Sequence, residues 1–360
     1  MAALRKKSPL VQTTAAPLMH RAARIENAFH EFREKRARAQ GHLPTVIPYA
    51  GYGTPHRIRV LGRVLLAAPR STRRARQESV RGWRSFTSVP IANAPVTVEV
   101  DGVRTTVRAD RGGVIDVTME ASLEPGMRTI RIQAEDSEFV EAPVFIVGEE
   151  VLTGIVSDID DTVMVTALPR PFLAAWNTFV LNEHARTPTP GMAVLYERLR
   201  LSHPGSPMIY LSTGAWNVAP TLTRFLSRNL YPSGALLLTD WGPTHDRWFR
   251  SGSEHKRNNL LRLAEDFPNV RWILIGDDGQ HDEELYGEFV RSNPENVVAV
   301  LIRQLSPGEA VLAGGRAKGD GQGQGIVPWL YAPDGSGLSE QLHGLGLLEA
   351  APPQPEVPTE

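Results

Sequence analysis

Cysteine is absent from the 360 residues of the chain. Disulfide bridges, thiolate zinc sites, iron–sulfur clusters and cysteine nucleophiles are therefore excluded. Long apolar runs are missing as well, since no stretch reaches the ~20 residues that a membrane-spanning helix needs. The first 20 residues contain basic side chains but no continuous apolar stretch of the kind found in secretory signals. We therefore expect a cytoplasmic protein.

Charge is distributed unevenly along the chain, although the net charge is only −1. Residues 1–90 contain 18 Lys and Arg against 4 Asp and Glu, whereas residues 91–360 contain 21 against 36. We call residues 1–90 the basic front. The simplest explanation of its charge is that it forms a solvated face or packs on the acidic residues 91–360. The alternative is an anionic partner, either a membrane surface met peripherally or nucleic acid. Nucleic acid is the weaker of the two, because the basic loop Arg70–Arg84 interleaves a single aromatic residue, Trp83.

The first half of the chain divides into two segments. Residues 1–55 are basic and include a predicted helix over about 17–40, which Pro17 begins and Gly41 ends. Over residues 56–150, short β-branched runs alternate in polarity and are separated by Gly, Asp and Pro. This pattern predicts an antiparallel, all-β, sandwich-like domain.

The second half of the chain has a different pattern of apolar residues. Over residues 151–305, apolar runs without alternation are separated by helical patterns, which is typical of a parallel sheet in an α/β domain. Residues 306–360 are rich in Gly and Pro, and we expect a disordered tail there. The helical patterns cover Met192–Leu199, Val218–Asn229, Lys256–Phe267 and a short stretch near Glu283–Phe289.

Carboxylates cluster at the ends of two apolar runs. Asp158 and Asp160 follow GIVS, and Asp277 ends WILIGD. Ligands bind at the carboxyl ends of parallel strands, and side chains two residues apart share a face. Because two acidic clusters repel each other and oxygen ligands suit a hard cation, we predict a Mg²⁺ site. An EF-hand calcium loop is excluded, because the Gly and Glu that it requires are replaced by Val163 and Pro169.

Further polar groups complete a set suited to phosphoryl transfer. Ser212, Thr213 and Gly214 follow the run MIYL, and Lys256 begins a helical pattern. One aspartate can act as a nucleophile and a second carboxyl as general acid and base. The hydroxyl, the lysine and the metal ion would stabilise charge on the transferred oxygens. Each signal alone has an ordinary explanation, such as a turn, a surface charge or, for Asp161, a helix cap. Their combination at strand and helix ends predicts an active site.

The motifs together resemble the haloacid dehalogenase-like hydrolase superfamily. More narrowly, the segments SDIDDTV, YLSTGAWN and KRNNLLRLAEDFPNVRWILIGDDGQHDEELY are similar to the actin-patch-associated phosphatidate phosphatases of fungi and their bacterial relatives. The resemblance extends over Val151–Ile302. It implies a Rossmann-like parallel sheet in the order 5-4-1-2-3 with a small helical insert. In chain order, the motifs are Asp158-x-Asp160-x-Thr162, Ser212, Lys256, and Gly276-Asp277 followed by Asp282.

The resemblance also implies a role for each motif residue. Asp158 would be the nucleophile and a metal ligand, and Asp160 the general acid and base, with its backbone carbonyl on Mg²⁺. Ser212 would bind the phosphoryl oxygens, Lys256 would neutralise the nucleophile and the phosphate, and Asp277 would be the acidic metal ligand. The other positions are Thr213 and Gly214 for phosphate binding, and Thr162, Asp282 and Asp278 as supporting residues, the last equally explained as a cap.

The substrate is less specifically encoded than the chemistry. Only 45 residues lie between Thr162 and Met208, so the insert is small and a bulky substrate could reach the site. The small insert and the excess of basic residues over 1–90 together favour an anionic phospholipid as the substrate. Phosphatidate is the first candidate. A soluble phosphate ester or a phosphoprotein is the alternative substrate, and a non-enzymatic binding module is the alternative of another class. Trp216, four residues after Ser212, either lines the pocket or packs in the core.

Overall fold

The structure is a computed structural model that describes residues 31–67, 89–165, 187–239, 245–279, 281–312, 325 and 327–349. Helix α1, residues 31–39, is the part of the predicted helix 17–40 that falls within these ranges. The basic loop Arg70–Arg84 and most of the predicted insert lie outside the described residues. Within the described part of the chain, no helix has both the length and the hydropathy needed to cross a membrane.

Nine strands form the first sheet, in the order β1-β3-β2-β9-β8-β5-β6, with β4 and β7 also paired to β3. Alternation of polarity builds it: in β5, Val96, Val98 and Val100 are buried while the residues between them are not. The sheet is one hydrogen-bonded network, because the 11 residues of β3 pair with four other strands. Its pairings are antiparallel as predicted, except that β2 pairs with β9 in parallel. The strands are β1 (Leu43–Pro48), β2 (Gly51–Thr54), β3 (Arg57–Ala67), β4 (Val89–Pro90), β5 (Pro95–Val100), β6 (Val103–Arg108), β7 (Val114–Glu120), β8 (Gly126–Ala134) and β9 (Val140–Ile146).

The second sheet has six strands, all parallel, in the order β14-β13-β10-β15-β16-β17. The apolar runs supply its strands because a parallel sheet is buried on both faces. Strand β10 is central and pairs with β13 and β15, so the carboxyl ends of these three strands meet at one edge. The strands are β10 (Thr153–Asp158), β13 (Met208–Ala215), β14 (Ala235–Thr239), β15 (Arg271–Asp277), β16 (Val297–Arg303) and β17 (Trp329–Ala332).

A two-stranded antiparallel hairpin, β11 (Met164–Val165) and β12 (Thr187–Pro188), lies beyond the carboxyl end of β10. Residues 166–186, between the two strands, belong to the predicted insert and lie outside the described residues. The hairpin therefore brings the two ends of the insert together close to the strand end that carries Asp158.

Six helices follow the hairpin in the described residues, and α4 packs against β13 and α5. Helix α4 corrects one prediction: Lys256 lies in the middle of this helix and does not begin it. Residues 252–255, which read GSEH and directly precede Lys256, carry no apolar side chain, so no apolar periodicity indicated that the helix starts before Lys256. The helices are α2 (Met192–Ser202), α3 (Ala219–Arg228), α4 (His245–Asp266), α5 (Asp282–Ser292), α6 (Pro307–Leu312) and α7 (Gly335–Gly344).

The predicted disordered tail over residues 306–360 is wrong for the part that the structure describes. Strand β17 is the sixth strand of the parallel sheet, and α7 packs against β17 and α2. Leu330, Leu338 and Leu342 are buried there. The Asp334 side chain accepts hydrogen bonds from two backbone amides at the start of α7 and caps it. A four-residue strand beside a Gly-rich stretch carries too little pattern to be recognised from composition.

Candidate active site

The site begins where β10 ends. The middle of β10, residues 154–156, is apolar, and the strand ends with the buried Ser157 and with Asp158, which is only 2% exposed. The chain then turns tightly: the amides of Val163 and Met164 both donate to the Ile159 carbonyl, at 3.0 and 3.2 Å. This turn holds Asp160 directly beyond the strand end.

Three carboxylates meet at this edge of the sheet. Asp158 ends β10, Asp277 ends β15 and Asp282 begins α5. One oxygen from each lies within 4.8 Å of the others. The Asp277 amide also donates to Asp282 Oδ2 at 3.4 Å, which ties the loop to the helix. The predicted proximity of the Asp158 and Asp277 side chains is therefore present in the structure.

Lys256 supplies a positive charge to this cluster. Its Nζ lies 2.6 Å from Asp158 Oδ1 and 2.7 Å from Asp282 Oδ1. Burial would lower the pKa of Lys256, but the carboxylates of Asp158 and Asp282 raise it overall, so the ammonium stays charged. The lysine reaches the cluster from the middle of α4, where it is itself buried.

One lysine does not balance the charge of three carboxylates, of which Asp158 and Asp282 are buried and Asp277 is half-buried. Burial raises the pKa of Asp158 well above its usual range; Lys256 opposes this rise and Asp282 adds to it. Burial and the carboxylates of Asp282 and Asp158 likewise raise the pKa of Asp277. A cluster of oxygen donors that is short of positive charge fits a hard divalent cation. The Asp158, Asp277 and Asp282 side chains could therefore hold a metal ion.

The carboxylate of Asp160 has a different neighbour. Ser212, fully buried on β13, donates through Oγ to Asp160 Oδ2 at 3.1 Å and accepts from the Gly214 amide at 3.0 Å. The side chain of Asp160 is thus held on the β13 side of β10, while Asp282 takes the third place in the carboxylate cluster. Thr213 is half-buried, and its carbonyl accepts from Thr239 Oγ1 at 2.9 Å.

The supporting residues Asp278 and Thr162 differ in their contacts. Asp278 is not a helix cap: its Oδ1 accepts from the Leu305 amide at 2.8 Å, and its own amide donates to the Arg303 carbonyl at 3.0 Å. Asp161 is not a helix cap either, since it lies in a left-handed turn with φ of 59°. Thr162 is fully buried, and among the described residues its hydroxyl has no hydrogen-bond partner.

Trp216 packs in the core and is 4% exposed. Its ring stacks on Tyr49 of the first sheet, with centroids 5.1 Å apart, and the Tyr49 hydroxyl donates to its carbonyl at 3.3 Å. Of the two roles open for Trp216, packing is the one that these contacts describe.

Three buried residues that hold the site together were missed by sequence reasoning. Arg303 donates to the Asp161 carbonyl at 2.6 Å, and the Tyr231 hydroxyl donates to the Val163 carbonyl at 2.7 Å. The Tyr196 hydroxyl lies 2.6 Å from the Ser157 hydroxyl. Arg303 carried a signal: it is a charge at the end of the apolar run VVAVLI, the same position that Asp277 takes on its strand.

The residues of this site lie within a segment of the chain that is similar to known proteins. Residues 153–304 match the family model described as the catalytic domain of phosphatidate phosphatase APP1. The curated phosphatidate phosphatase APP1 of Saccharomyces cerevisiae is 25% identical over 154 residues, which are 42% of this chain and 26% of that protein. An uncharacterized protein of Schizosaccharomyces pombe is 24% identical over 152 residues, 42% of this chain and 25% of its own length.

These matches support the narrower of the two resemblances, to a phosphatidate phosphatase catalytic domain, and with it the prediction of a phosphatase enzyme. Membership of the haloacid dehalogenase-like superfamily stays a prediction. The chain spans about a quarter of the length of the curated relatives that it matches. Among solved structures, a carbohydrate acetylesterase from Xanthomonas citri aligns over 81% of this chain and 69% of its own, at 12% identity and a TM-score of 0.30. We base no conclusion about fold or function on a structural similarity this low.

Proposed function

We propose that the chain is a Mg²⁺-dependent phosphatase of the haloacid dehalogenase type, acting through an aspartyl-phosphate, with phosphatidate or a related anionic phospholipid as substrate. One observation carries the proposal. The buried Asp158 carboxylate contacts Lys256 on one side, and the second carboxyl, Asp160, is held apart from it on Ser212. Two carboxyl groups in such different surroundings suit two different tasks.

In the first half of the reaction, Asp158 acts as the nucleophile. One carboxylate oxygen attacks phosphorus, the bond from phosphorus to the leaving oxygen breaks, and the Asp160 carboxyl gives that oxygen its proton. Lys256 and the phosphate-binding residues Ser212, Thr213 and Gly214 stabilise charge on the phosphoryl oxygens. A Mg²⁺ ion held by Asp158, Asp277 and Asp282 side chains would supply further positive charge at the same place.

In the second half, the Asp160 carboxylate takes a proton from water. The resulting hydroxide oxygen attacks phosphorus, the bond to Asp158 breaks, and inorganic phosphate leaves. The carboxylate of Asp158 and the protonated carboxyl of Asp160 are then restored. The Ser212 hydroxyl, 3.1 Å from Asp160 Oδ2, keeps this carboxyl in the same place through both steps.

Two observations support a phospholipid substrate. The Saccharomyces cerevisiae relative is a phosphatidate phosphatase, and the front of the chain is basic. A cytoplasmic enzyme that meets an anionic membrane peripherally would combine these two properties. A soluble phosphate ester or a phosphoprotein would use the same site and the same steps.

Phosphate release tests the chemistry and vesicle binding tests the substrate. Purified chain is assayed with phosphatidate vesicles, nucleotides, sugar phosphates and a phosphopeptide, with Mg²⁺ or EDTA. We expect Mg²⁺-dependent release, fastest on phosphatidate, that is lost in Asp158→Asn. Sedimentation with anionic and neutral vesicles should show binding to the anionic ones that weakens when residues 1–40 are removed.

Each alternative has its own outcome. Turnover of soluble esters without vesicle binding would show that the substrate is a soluble phosphate ester or a phosphoprotein. No release from any ester, with or without Mg²⁺, would overturn the enzyme and favour a binding module.

A further inference from the structure

Arg303 is a buried cation at the carboxyl end of β16, beside the proposed site and outside its motifs. It is 4% exposed. One terminal nitrogen donates to the Asp161 carbonyl at 2.6 Å, and the other donates to Glu309 Oε1 at 2.7 Å. The remaining guanidinium nitrogen lies 3.4 Å from the Pro333 carbonyl. Each of these contacts links β16 to a different segment of the chain.

The turn that Arg303 reaches is the one that carries Asp160. Asp161 adopts a φ of 59°, a left-handed conformation that residues other than glycine adopt only occasionally. The Asp161 amide donates to the Met164 carbonyl at 2.9 Å. The Arg303 bond to the Asp161 carbonyl is charge-assisted and therefore among the stronger bonds holding this turn.

A second buried donor holds the same turn. The Tyr231 hydroxyl donates to the Val163 carbonyl at 2.7 Å, two residues beyond the carbonyl that Arg303 holds. The Arg303 carbonyl also accepts from the Asp278 amide, next to Asp277. Arg303 thus joins the loop that follows β10 to the loop that follows β15, which are the two acidic loops of the site.

We infer that Arg303 is a positioning residue, which fixes the turn after β10 so that the Asp160 carboxyl faces the leaving group. This inference rests on the proposed function, because it assigns Asp160 the role of proton donor. Arg303 itself contacts backbone carbonyls and Glu309, and no reacting atom is assigned to it.

Leaving-group dependence distinguishes this role from a merely structural one. A basic leaving group needs a proton as its bond breaks, whereas a weakly basic one leaves without much help. Misplacing the proton donor should therefore slow phenyl phosphate more than p-nitrophenyl phosphate, which is almost the same size. General damage to the fold would slow both substrates equally.

The experiment compares Arg303→Met with the unmodified chain on these two substrates. We expect kcat/KM, which reports only the steps up to departure of the leaving group and not the later attack of water, to fall by about 10–100-fold on phenyl phosphate and by less than about 3-fold on p-nitrophenyl phosphate. Arg303→Lys, which keeps the charge, should recover part of the loss. Asp160→Asn should show the same asymmetry, and Arg200→Met, in an exposed pair on α2 with Glu197, should show none.

One measurement does not depend on turnover. In Arg303→Met, amides of residues 159–165 should exchange hydrogen faster than in the unmodified chain. If Arg303→Met does not fold, Tyr231→Phe removes the other buried donor to the turn and keeps the ring. We expect the same asymmetry from it, in smaller degree.

Equal losses on the two substrates, or unchanged exchange in residues 159–165, would overturn the inference. A failure of the proposed function looks different, because the unmodified chain would then release no phosphate from any ester. Hydrogen exchange would still decide in that case whether Arg303 fixes the turn.

Discussion

Lys256 and its two carboxylate partners show how function overrides stability at the scale of single residues. Removing charges from water costs free energy that a buried ion pair seldom recovers in full. Here Lys256 lies between Asp158 and Asp282, with Asp277 beside them, and burial raises the pKa of both Asp158 and Asp277. A core selected for stability alone would have no reason to gather these groups.

The first prediction concerns Asp158→Asn. Turnover should fall by at least about 10³-fold, because an amide cannot serve as the nucleophile. The thermal midpoint in EDTA should stay equal or rise, because the substitution removes a buried charge that repels Asp282 and leaves Lys256 paired to Asp282. Phosphate release and thermal unfolding measure the two effects on the same preparation.

A clear drop in the EDTA midpoint would contradict this account of the charge balance, even if activity were lost. Activity close to that of the unmodified chain would show that Asp158 is not the nucleophile. Arg200→Met serves as the control for both measurements, since its ion pair with Glu197 is exposed.

Strand β10 shows a constraint at the scale of an element. Gly154 lies beneath the Trp272 side chain of β15, and a Cβ at this position would collide with the indole ring. Trp272 is itself fully buried and packs edge-to-face on Phe267, with ring centroids 6.0 Å apart, so it has little room to move. The strand that ends in Asp158 therefore needs glycine near its start.

We predict that Gly154→Ala lowers the free energy of unfolding by about 1–3 kcal/mol, the usual cost of overpacking a core. The matched control is Gly308→Ala in α6, where a Cβ meets nothing within 4 Å. This second change should leave stability unchanged or raise it by up to about 1 kcal/mol, because alanine favours a helix over glycine. Urea unfolding followed by tryptophan fluorescence measures both, and equal effects would refute the packing argument.

Elements with strong local patterns could be predicted from the sequence. The apolar runs that end in Asp158 and Asp277 lie in β10 and β15 because a strand buried on both faces must be apolar throughout. Strand β17 could not be predicted, since four residues beside a Gly-rich stretch carry no period. The first turns of α4 were missed for the same reason.

The site could be predicted only as far as strand ends determine it. Carboxyl ends of neighbouring parallel strands share an edge, so a meeting of Asp158 with Asp277 followed from the pattern. The bond from Arg303 to the Asp161 carbonyl joins residues 142 positions apart. No local pattern contains such a pairing, because it depends on how the segments pack.

At the scale of the whole molecule, the described part of the first sheet shares a core with the second sheet. Tyr52 and Leu61 of the first sheet, and Tyr49 between its strands β1 and β2, belong to one hydrophobic core with the strands of the second sheet. On α4, the Asn259 side chain accepts from Arg59 of β3 at 3.1 Å, three residues beyond Lys256. The first sheet thus braces the helix that delivers the lysine, and we expect the two sheets to unfold together.

The ion pair at this junction leads to a prediction on pH. Arg59 is 5% exposed, and two of its guanidinium nitrogens each donate to Asp116 at 2.6 Å. Burial alone would raise the pKa of Asp116, but Arg59 lowers it below its usual value. Because the folded pKa is the lower one, the pair stabilises the fold above the unfolded pKa of about 4 and loses this effect as the pH falls through the folded pKa.

Asp116→Asn should therefore lower the free energy of unfolding at pH 7 by about 1–3 kcal/mol, since Arg59 loses its charged partner. The difference from the unmodified chain should shrink as the pH falls below about 4, where protonation of Asp116 weakens the same pair. Thermal midpoints measured from pH 7 to pH 3 test this, with Glu288→Gln in the exposed pair with Arg257 as the control. A difference that stays constant across this range would mean that the junction is held by packing around Tyr52 and not by the charge of Asp116.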